Sequence, residues 1–414
     1  MQPHSPSRQT ADRSSVAGRT ARTRPRIASA TAGLIALIAL VTLVGACGSS
    51  RGHAAASSPG GGSSGSATTA SSQPVASQAA YSGTNGTPPS SGPRAVKGKS
   101  VWVISCGQMT PCAIQAQAVT QAAQTLGWTV KVCDGNIDMN NAYVTCMNQA
   151  LAAQANGIIT VAIDCSSIKA ALISAKSAHV PVVNVDGFDC DQNLPSPDGP
   201  GLFAATVIPS TTYPTVGAFA TALSTQEANW LITETHGKAK LINFALTSNT
   251  YGILNNDAIE AAFKSCSGCF VYEVPITFND QTPTQLATLF QSSALRYPQA
   301  NSFQVFQAAI MENGITNPLR TSSRKFMTVS SGPEAAAMDL VRQGVLDADV
   351  TPDNMWWGYA GADTLNRVFA GQPTVPEGIG FQIVDATHNL PASGIYRYNE
   401  TDFIAAYDKI WTGS

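Results

Sequence analysis

The sequence predicts an α/β protein whose folded body has two doubly wound parallel-sheet lobes with a ligand cleft between them. The first observation is an alternation of short apolar runs with helix-length segments, which begins near Lys97 and is typical of βαβ units. The second is an irregular stretch from about residue 187 to residue 223, after which the alternation restarts. The third is a hydrophobic content of 44% against 12% charged residues, which is enough for a large buried core.

The first 46 residues have the order of a secretory signal peptide. Arginines continue to Arg26, an apolar run follows over residues 27–46, and small residues precede Cys47. Residues 44–47, Val-Gly-Ala-Cys, resemble the lipobox of bacterial lipoproteins. We therefore expect cleavage before Cys47, lipidation of its sulfur, palmitate included, and anchorage at the outer face of the cytoplasmic membrane. An uncleaved anchor is the alternative, since about 20 apolar residues can span a bilayer.

Composition sets the character of the next segment and of the mature chain. Residues 47–96 are rich in Ser, Gly, Ala, Thr and Pro and are predicted to be a disordered tether. Loss of residues 1–46 removes six of 24 basic and one of 26 acidic residues, which leaves a formal net charge of −7. We therefore expect no binding to nucleic acid.

Eight cysteines remain after Cys47, an even number that suits disulfides in an exported chain. Zinc is the rival interpretation, but the folded region has few histidines and no paired CxxC motifs. Local proximity at strand ends favours four pairs, although other connectivities stay open: Cys106–Cys112, Cys133–Cys146, Cys165–Cys190 and Cys266–Cys269.

The first lobe is predicted from four strands and three intervening helices. The strands are the apolar runs VWVISC, WTVKVC, GIITVAID and PVVNVD, and the helices cover residues 113–127, 143–156 and 168–178. Parallel βαβ units place the carboxyl ends of these strands at one edge, where ligands bind in open α/β sheets. Asp134, Asp164 and Asp186 follow or end three of the strands and are therefore candidate ligand residues.

The second lobe repeats the alternation. A capping box at Ser224–Glu227 predicts a helix through His236. Strands AKLINFA, CFVYEV, SFQVFQ, KFMTVS and VLDADV then alternate with helices at residues 255–266, 284–297, 308–317 and 333–344, before a helix at residues 354–370 and a mixed tail.

Three segments carry a family resemblance: VPVVNVD, GKAKLINF and WGYAGADTLNRVFAGQP. They resemble type I periplasmic (solute) binding proteins of the ribose- and galactose-binding kind, which serve ABC sugar importers. The resemblance covers residues 97–414. It implies three crossings between lobes, near residues 212–223, 350–353 and 378–384. The N-terminal lobe would be residues 97–223 and 352–380, and the C-terminal lobe residues 224–351 and 381–414, with the helix at residues 401–411 on the second lobe.

The resemblance also implies positions for the ligand. Asp186 matches the family's sugar-binding aspartate, Gln108 a polar residue after the first strand, Asn255 a polar residue of a second-lobe helix, and Phe278 an aromatic. The family's arginine is replaced by Gly187, its Asn-Asp pair is replaced around Gln307 and Ala308, and its last aspartate becomes Ser331. The full predicted ligand set is Gln108, Asp134, Asp164, Asp186, Tyr251, Asn255, Phe278, Gln307, Ser331 and Trp356.

These observations predict an extracytoplasmic receptor that delivers a small solute, most simply a sugar, to the permease of an ABC importer. The chain is expected to be monomeric, without metal or cofactor, and not an enzyme. Ser166-x-x-Lys169 matches one transpeptidase motif, but the partner motifs are absent. A sensor on the same fold, a nucleoside, amino acid or polyol ligand, and a calcium site at residues 134–140 stay open.

Overall fold

A computed structural model describes residues 78–413 except Met109. The apolar runs form the strands of two sheets, and the first sheet holds five parallel strands in the order β2-β1-β3-β4-β5. These five strands are β1 Ser100–Ser105, β2 Thr129–Asp134, β3 Gly157–Val161, β4 Val182–Val185 and β5 Ala205–Thr206.

The second sheet holds six strands in the order β11-β10-β9-β8-β6-β7. They are β6 Lys240–Leu246, β7 Phe270–Ile276, β8 Ser302–Val305, β9 Met327–Ser330, β10 Ala348–Thr351 and β11 Gln382–Asp385. Only β11 is antiparallel to its neighbour in this sheet. Two mainly parallel α/β sheets, each in its own lobe, confirm the predicted fold class.

Helices connect the strands within each lobe. The first four are α1 Gln78–Ser82, α2 Thr110–Leu126, α3 Ala142–Ala152 and α4 Cys165–Ser177. The second-lobe helices are α5 Val216–Glu234, α6 Thr250–Lys264, α7 Pro283–Arg296, α8 Ala308–Ile310, α9 Thr316–Thr321 and α10 Ala335–Arg342, with a π-helical turn at Met311–Ile315. The last two are α11 Asn354–Phe369 and α12 Phe403–Thr412.

Helix α5 begins eight residues before the predicted capping box. Its N-cap is Thr215, whose hydroxyl accepts the N–H of Ala218, while Ser224 and Glu227 are buried inside the helix. The predicted capping box is wrong because both side chains accept hydrogen bonds from Asn255 of α6 instead of capping the helix backbone. Helix α5 packs on α6, β9 and β10, so this part of the second lobe starts before residue 224.

The C-terminal helix α12 packs on α11 and α2, both in the first lobe, and not on the second lobe as expected. Hydrogen bonds from two aromatic side chains of α12 explain the placement. Trp411 Nε1 donates to Asp363 Oδ1 (2.8 Å), and the Tyr407 hydroxyl donates to Glu377 Oε2 (2.6 Å). Asp363 also pairs with buried Arg367 (2.5 Å). The chain therefore returns to the first lobe after β11, at about residues 397–402, which adds a crossing to the three predicted.

Residues 81–96 form a further connection between the lobes, which we call the hinge strap. It starts at the second lobe, where Tyr81 stacks on His388 with ring centroids 3.8 Å apart. The backbone N–H of Gly86 then donates to the carbonyl of Gly378 (2.8 Å). The strap ends on the first lobe, where the Asn366 side chain donates to the carbonyl of Pro93 (3.2 Å).

The prediction of a disordered tether over residues 47–96 is therefore wrong for the hinge strap. Its composition provides little apolar surface of its own, but its backbone groups find partners on α11, on β11 and on residues 378–381. The earlier part of the tether, with Cys47 and the predicted signal peptide, lies outside the described residues.

The structure forms four disulfides, Cys106–Cys112, Cys133–Cys146, Cys165–Cys190 and Cys266–Cys269, which are the four predicted pairs. Three of them lie in the first lobe and one in the second. A search of the described helices finds none that is both long and apolar enough to cross a membrane.

Candidate ligand-binding cleft

A cavity lies between the lobes, where the carboxyl ends of the two sheets face each other. The centre of a water-sized sphere can occupy about 90 Å³ of it. Its first-lobe lining is Cys106, Pro111, Cys112, Ile137, Tyr143, Ala162, Asp164, Asp186, Phe188 and Asn354. Its second-lobe lining is Asn249, Tyr251, Phe278, Phe306, Gln307, Ser331, Gly332 and Pro333, and Pro352 lies at the crossing between the lobes.

Asp186 is the residue directly after β4, so the end of that strand presents its carboxyl group to the cavity. Its backbone has a φ of 55°, the left-handed conformation that aspartate tolerates better than most residues. Gln115 Nε2 of α2 donates to Asp186 Oδ2 (3.0 Å), whereas Asp186 Oδ1 has no hydrogen-bond partner among the described residues. One oxygen of this carboxyl group is thus without a hydrogen-bond partner among the described residues.

The environment of Asp186 disfavours its charged form. Burial and, to a smaller extent, the neighbouring Asp164 raise the pKa of Asp186 to about 7, while the hydrogen bond from Gln115 acts in the opposite direction. Burial dominates because no cation compensates the charge. The carboxyl group therefore changes its protonation state near neutral pH.

Asp164 lies three residues after β3 and connects the two lobes. Its Oδ1 accepts the backbone N–H of Phe188 (3.4 Å), and its Oδ2 accepts the backbone N–H of Thr250, the first residue of α6 in the second lobe (3.2 Å). The Thr250 hydroxyl in turn accepts the N–H of Leu194 from the first lobe (3.1 Å). These bonds form only when the lobes are close, so they mark a closed arrangement.

Aromatic and amide side chains make the second-lobe side of the cavity. Tyr251 contacts Phe306 of its own lobe and Phe188 of the first lobe, with ring centroids 5.0 and 6.1 Å away. Burial, with Asp186 and Glu227 nearby, raises the pKa of Tyr251 well above its ordinary value, so its hydroxyl keeps its proton. Asn249 caps α6 through Gly252 N–H, and Gln307 begins α8 after β8. These groups offer donors, acceptors and flat apolar faces.

Six of the ten predicted ligand residues line the cavity: Asp164, Asp186, Tyr251, Phe278, Gln307 and Ser331. The structure places Asn255 elsewhere. Its side-chain amide donates to Ser224 Oγ (2.9 Å) and Glu227 Oε2 (3.0 Å) inside the second lobe. Trp356 is also misplaced by the prediction, because it is fully buried, stacks on Phe403 at 5.0 Å and donates to the Tyr407 hydroxyl. Both lie on helices, where sequence alone does not tell the cleft face from the core face.

Gln108 and Asp134 are exposed and lie outside the cavity lining. Asp134 Oδ1 accepts the N–H of Asn136 (2.8 Å), and in the same loop Asp138 Oδ1 accepts the N–H of Tyr143 (3.2 Å). The carboxylates of this loop therefore order its backbone.

Sequence reasoning missed four polar or aromatic residues of the cavity: Tyr143, Asn249, Phe306 and Asn354. The strand-end rule identifies two of them, because Phe306 directly follows β8 and Asn249 comes three residues after β6. Tyr143 and Asn354 stand at the starts of α3 and α11, where no motif singles them out.

Two other arrangements of reactive side chains have structural roles. Lys169 Nζ pairs with the carboxylate of Asp198 (2.8 Å), and Ser166 is exposed at the start of α4. A cluster of potential metal ligands in the described chain joins Asp189 to Cys165 and Cys190, but these cysteines form a disulfide. The Asp189 carboxylate accepts backbone N–H groups of Cys190 and Leu202.

Two α/β lobes, several crossings and a cavity between strand ends define the type I architecture of solute-binding proteins. A family model described as "Periplasmic binding protein domain" matches residues 111–373. Because the match covers more than half of the chain, this protein belongs to the periplasmic binding protein domain family, a family of solute-binding proteins.

Solved structures share the fold at low sequence identity. An ABC transporter solute binding protein from Agrobacterium vitis, with bound allitol, matches with a TM-score of 0.58 and 15% identity over 70% of this chain and 97% of that chain. A glucose-galactose binding protein from Geobacillus stearothermophilus matches with a TM-score of 0.58 and 15% identity, over 70% of this chain and 98% of that chain. The fructose binding periplasmic domain of a hybrid two component system matches with a TM-score of 0.57 and 13% identity, over 70% of this chain and 91% of that chain. No curated protein matches the chain.

Proposed function

We propose that this protein is an extracytoplasmic lipoprotein that binds a small polyhydroxylated solute, a sugar or polyol, and delivers it to the permease of an ABC importer. The observation that carries the proposal is Asp186, an acid that lines the interlobe cavity and whose Oδ1 has no hydrogen-bond partner among the described residues. Vicinal hydroxyl groups are suitable donors for a carboxylate, and hydrogen bonds to a charged acceptor are the stronger kind.

The cavity supports a ligand of monosaccharide size. One water needs about 10–15 Å³ of such space, so 90 Å³ corresponds to a handful of waters and not to a chain of sugar units. The ring faces of Phe188, Tyr251 and Phe306 suit the C–H surfaces of a sugar ring. By their names, the three matching proteins bind allitol, glucose or galactose, and fructose. These ligands agree with the proposed class.

Lobe closure provides the signal for the membrane partner. In the closed arrangement, Asp164 of the first lobe accepts the N–H of Thr250 in the second. A ligand that contacts both lobes stabilises this arrangement, and a permease can then recognise the closed surface.

The lipid anchor is tested separately from the ligand. The signal-like order of residues 1–46 supports cleavage before Cys47 and a diacylglycerol on its sulfur. Mass spectrometry of the protein from native membranes should give an N-terminal Cys47 peptide with the added lipid mass. An unmodified chain that starts at Met1 would contradict this part of the proposal.

A thermal-shift screen of sugars, polyols, nucleosides and amino acids tests the ligand class. A specific ligand at about 100 times its Kd stabilises the folded state by roughly 2.7 kcal/mol. Stabilisation by nucleosides or amino acids, and not by sugars or polyols, would refute the proposed class. A sensor that reports to a kinase is the second candidate, supported by the match to the two component system. Ligand-dependent stimulation of a reconstituted permease ATPase distinguishes importer from sensor.

A further inference from the structure

The carboxyl groups that line the cavity have no opposite charge beside them. Of the lining residues that the structure describes, Asp164 and Asp186 are acids, and none is a lysine, an arginine or a histidine. A ligand with a carboxylate or phosphate would place a further negative group beside two acids that no cation of the lining compensates, in a space from which water is displaced and repulsion is strong. The cavity therefore selects against anions.

The two acids differ in how far the protein already satisfies them. Both oxygens of Asp164 accept a backbone N–H, one from Phe188 and one from Thr250. Asp186 accepts only the Gln115 amide on Oδ2, and its Oδ1 is buried without a partner. An ionised carboxylate has about four acceptor positions. Of the two cavity-lining acids, Asp186 is thus the one that keeps acceptor capacity unused by the described residues.

The aromatic residues favour the same type of donor. Tyr251 contacts both Phe188 and Phe306, and all three residues line the cavity with Asp186. Aromatic ring faces carry negative electrostatic potential and attract cations. A cation at Asp186 would therefore meet favourable potential from the carboxylates and from the rings.

A cation also removes the cost of ionising Asp186. Burial raises the pKa of this carboxyl group to about 7, so in neutral solution it is only partly charged when no cation is near. A neutral hydroxyl donor leaves most of this cost in place. An ammonium group compensates the charge directly and donates up to three hydrogen bonds, as a lysine ammonium does.

We propose that the solute is an amino sugar or amino polyol whose protonated amine binds Asp186, while its hydroxyl groups bind Asn249, Gln307 and Ser331. This inference rests on the proposed function and narrows its ligand class. It also assigns Asp186 the role of selecting charge, whereas the polar side chains of the second lobe bind the hydroxyl groups.

Matched sets of hexoses test the inference. For glucose, galactose and mannose, calorimetry compares the neutral sugar, its 2-amino derivative and its uronic acid, with the full-length protein at neutral pH. In the stereochemical series that binds, we expect the amino sugar to bind about tenfold tighter than the neutral sugar, and the uronic acid not to bind. Equal or tighter binding of the neutral sugar, or binding of the uronic acid, would overturn the inference and leave the proposed function intact. No binding in any series would count against both.

Two matched variants locate the selectivity. Asp186→Asn keeps the shape and removes the charge, so the amino sugar should lose its affinity advantage over the neutral sugar of the same series. Asp257→Asn removes the same charge from an exposed position of α6 and should keep the tenfold preference. A preference that survives Asp186→Asn would overturn the assignment. Melting temperatures of both variants check that they fold.

Discussion

The carboxyl groups at the interlobe cavity and those inside the second lobe have different surroundings. In the first lobe, Asp164 and Asp186 stand at the ends of strands and face the cavity. In the second lobe, Glu227, Glu334 and Asp349 are fully buried and none of them lines the cavity. Burial raises the pKa of Glu227 and Asp349 well above their ordinary values and that of Glu334 to about 8. The second-lobe acids are therefore held neutral inside the lobe.

The difference shows that a raised pKa does not by itself identify a ligand site. Glu227 Oε2 accepts the side-chain amides of Asn255 and Gln304, and Asp349 Oδ1 accepts the N–H of Gly332, so both acids bond within their own lobe. These acids and Asp186 each have an oxygen without a partner among the described residues, and Asp186 differs because it lines the cavity. Access to the cavity, and not the size of the pKa shift, separates binding from structural acids.

The largest expected effect is the pH dependence that Glu334 imposes on the second lobe. Burial raises its pKa from 4.5 to about 8, so the folded state holds its proton longer than the unfolded state. The contribution of Glu334 to stability is complete below pH 4.5 and is lost as the pH rises toward 8. The free energy of unfolding should fall over this range by an amount on the order of 3–5 kcal/mol. Chemical denaturation of wild type and Glu334→Gln from pH 4.5 to 8.5 should give curves that diverge by this amount. Parallel curves would show that Glu334 is ionised in the folded protein.

Removal of a disulfide should cost more in the first lobe than in the second. Cys165–Cys190 closes a loop of 25 residues and Cys266–Cys269 a loop of three. A disulfide stabilises the fold because it restricts the unfolded chain. When both cysteines become alanine, the free energy of unfolding should fall by about 3.5 kcal/mol for the first pair and by about 2 kcal/mol for the second. Urea denaturation of the two double variants measures the difference. Equal losses would mean that loop closure is not the source of the stabilisation.

The hinge strap should stabilise the described body by about 2–4 kcal/mol. A chain that starts at Lys97 lacks the backbone hydrogen bonds to Phe381, Gly378 and Trp411 and the ties to Asn366, each of which contributes roughly 1 kcal/mol. A chain that starts at Gln78 keeps the strap and serves as the control. Thermal denaturation should separate the two truncations, and coincident melting curves would show that the strap contributes nothing to stability.

The smallest change in free energy is expected at the cleft, where it affects binding and not folding. Asp186→Ala should weaken binding of the solute by roughly 1.5–3 kcal/mol, a tenfold to hundredfold loss of affinity, with little change in melting temperature. Asn255→Ala should do the reverse, because Asn255 binds Ser224 and Glu227 in the core. Calorimetry and melting curves of both variants test this contrast. Unchanged affinity in Asp186→Ala would show that the ligand binds elsewhere.

The sequence predicted the parts of the molecule that depend on local order. The runs of β1, β3 and β4 are apolar and short, so their strands and their polar ends could be located, and Asp164 and Asp186 with them. The four disulfides joined cysteines at most 25 residues apart.

Features that depend on distant partners could not be predicted. Helix α12 docks on the first lobe through Asp363 and Glu377, and nothing near Trp411 or Tyr407 in the sequence indicates these partners. The hinge strap resembles a linker in composition because its stability comes from the residues that it contacts. Asn255 and Trp356 were assigned to the cleft because a helix position gives no information on which of its faces meets the cavity.

The hinge strap also determines how tension reaches the folded body. A pull on the chain ahead of Gln78 meets the second lobe first, at Tyr81, where the ring stacks on His388 and the carbonyl accepts the Asn389 amide (2.7 Å). The load then passes along residues 378–381 and reaches the first lobe at Asn366 and Arg367. It is thus distributed over the hinge and is not applied at the mouth of the cleft. A force applied ahead of Gln78 therefore leaves the two lobes free to open and close.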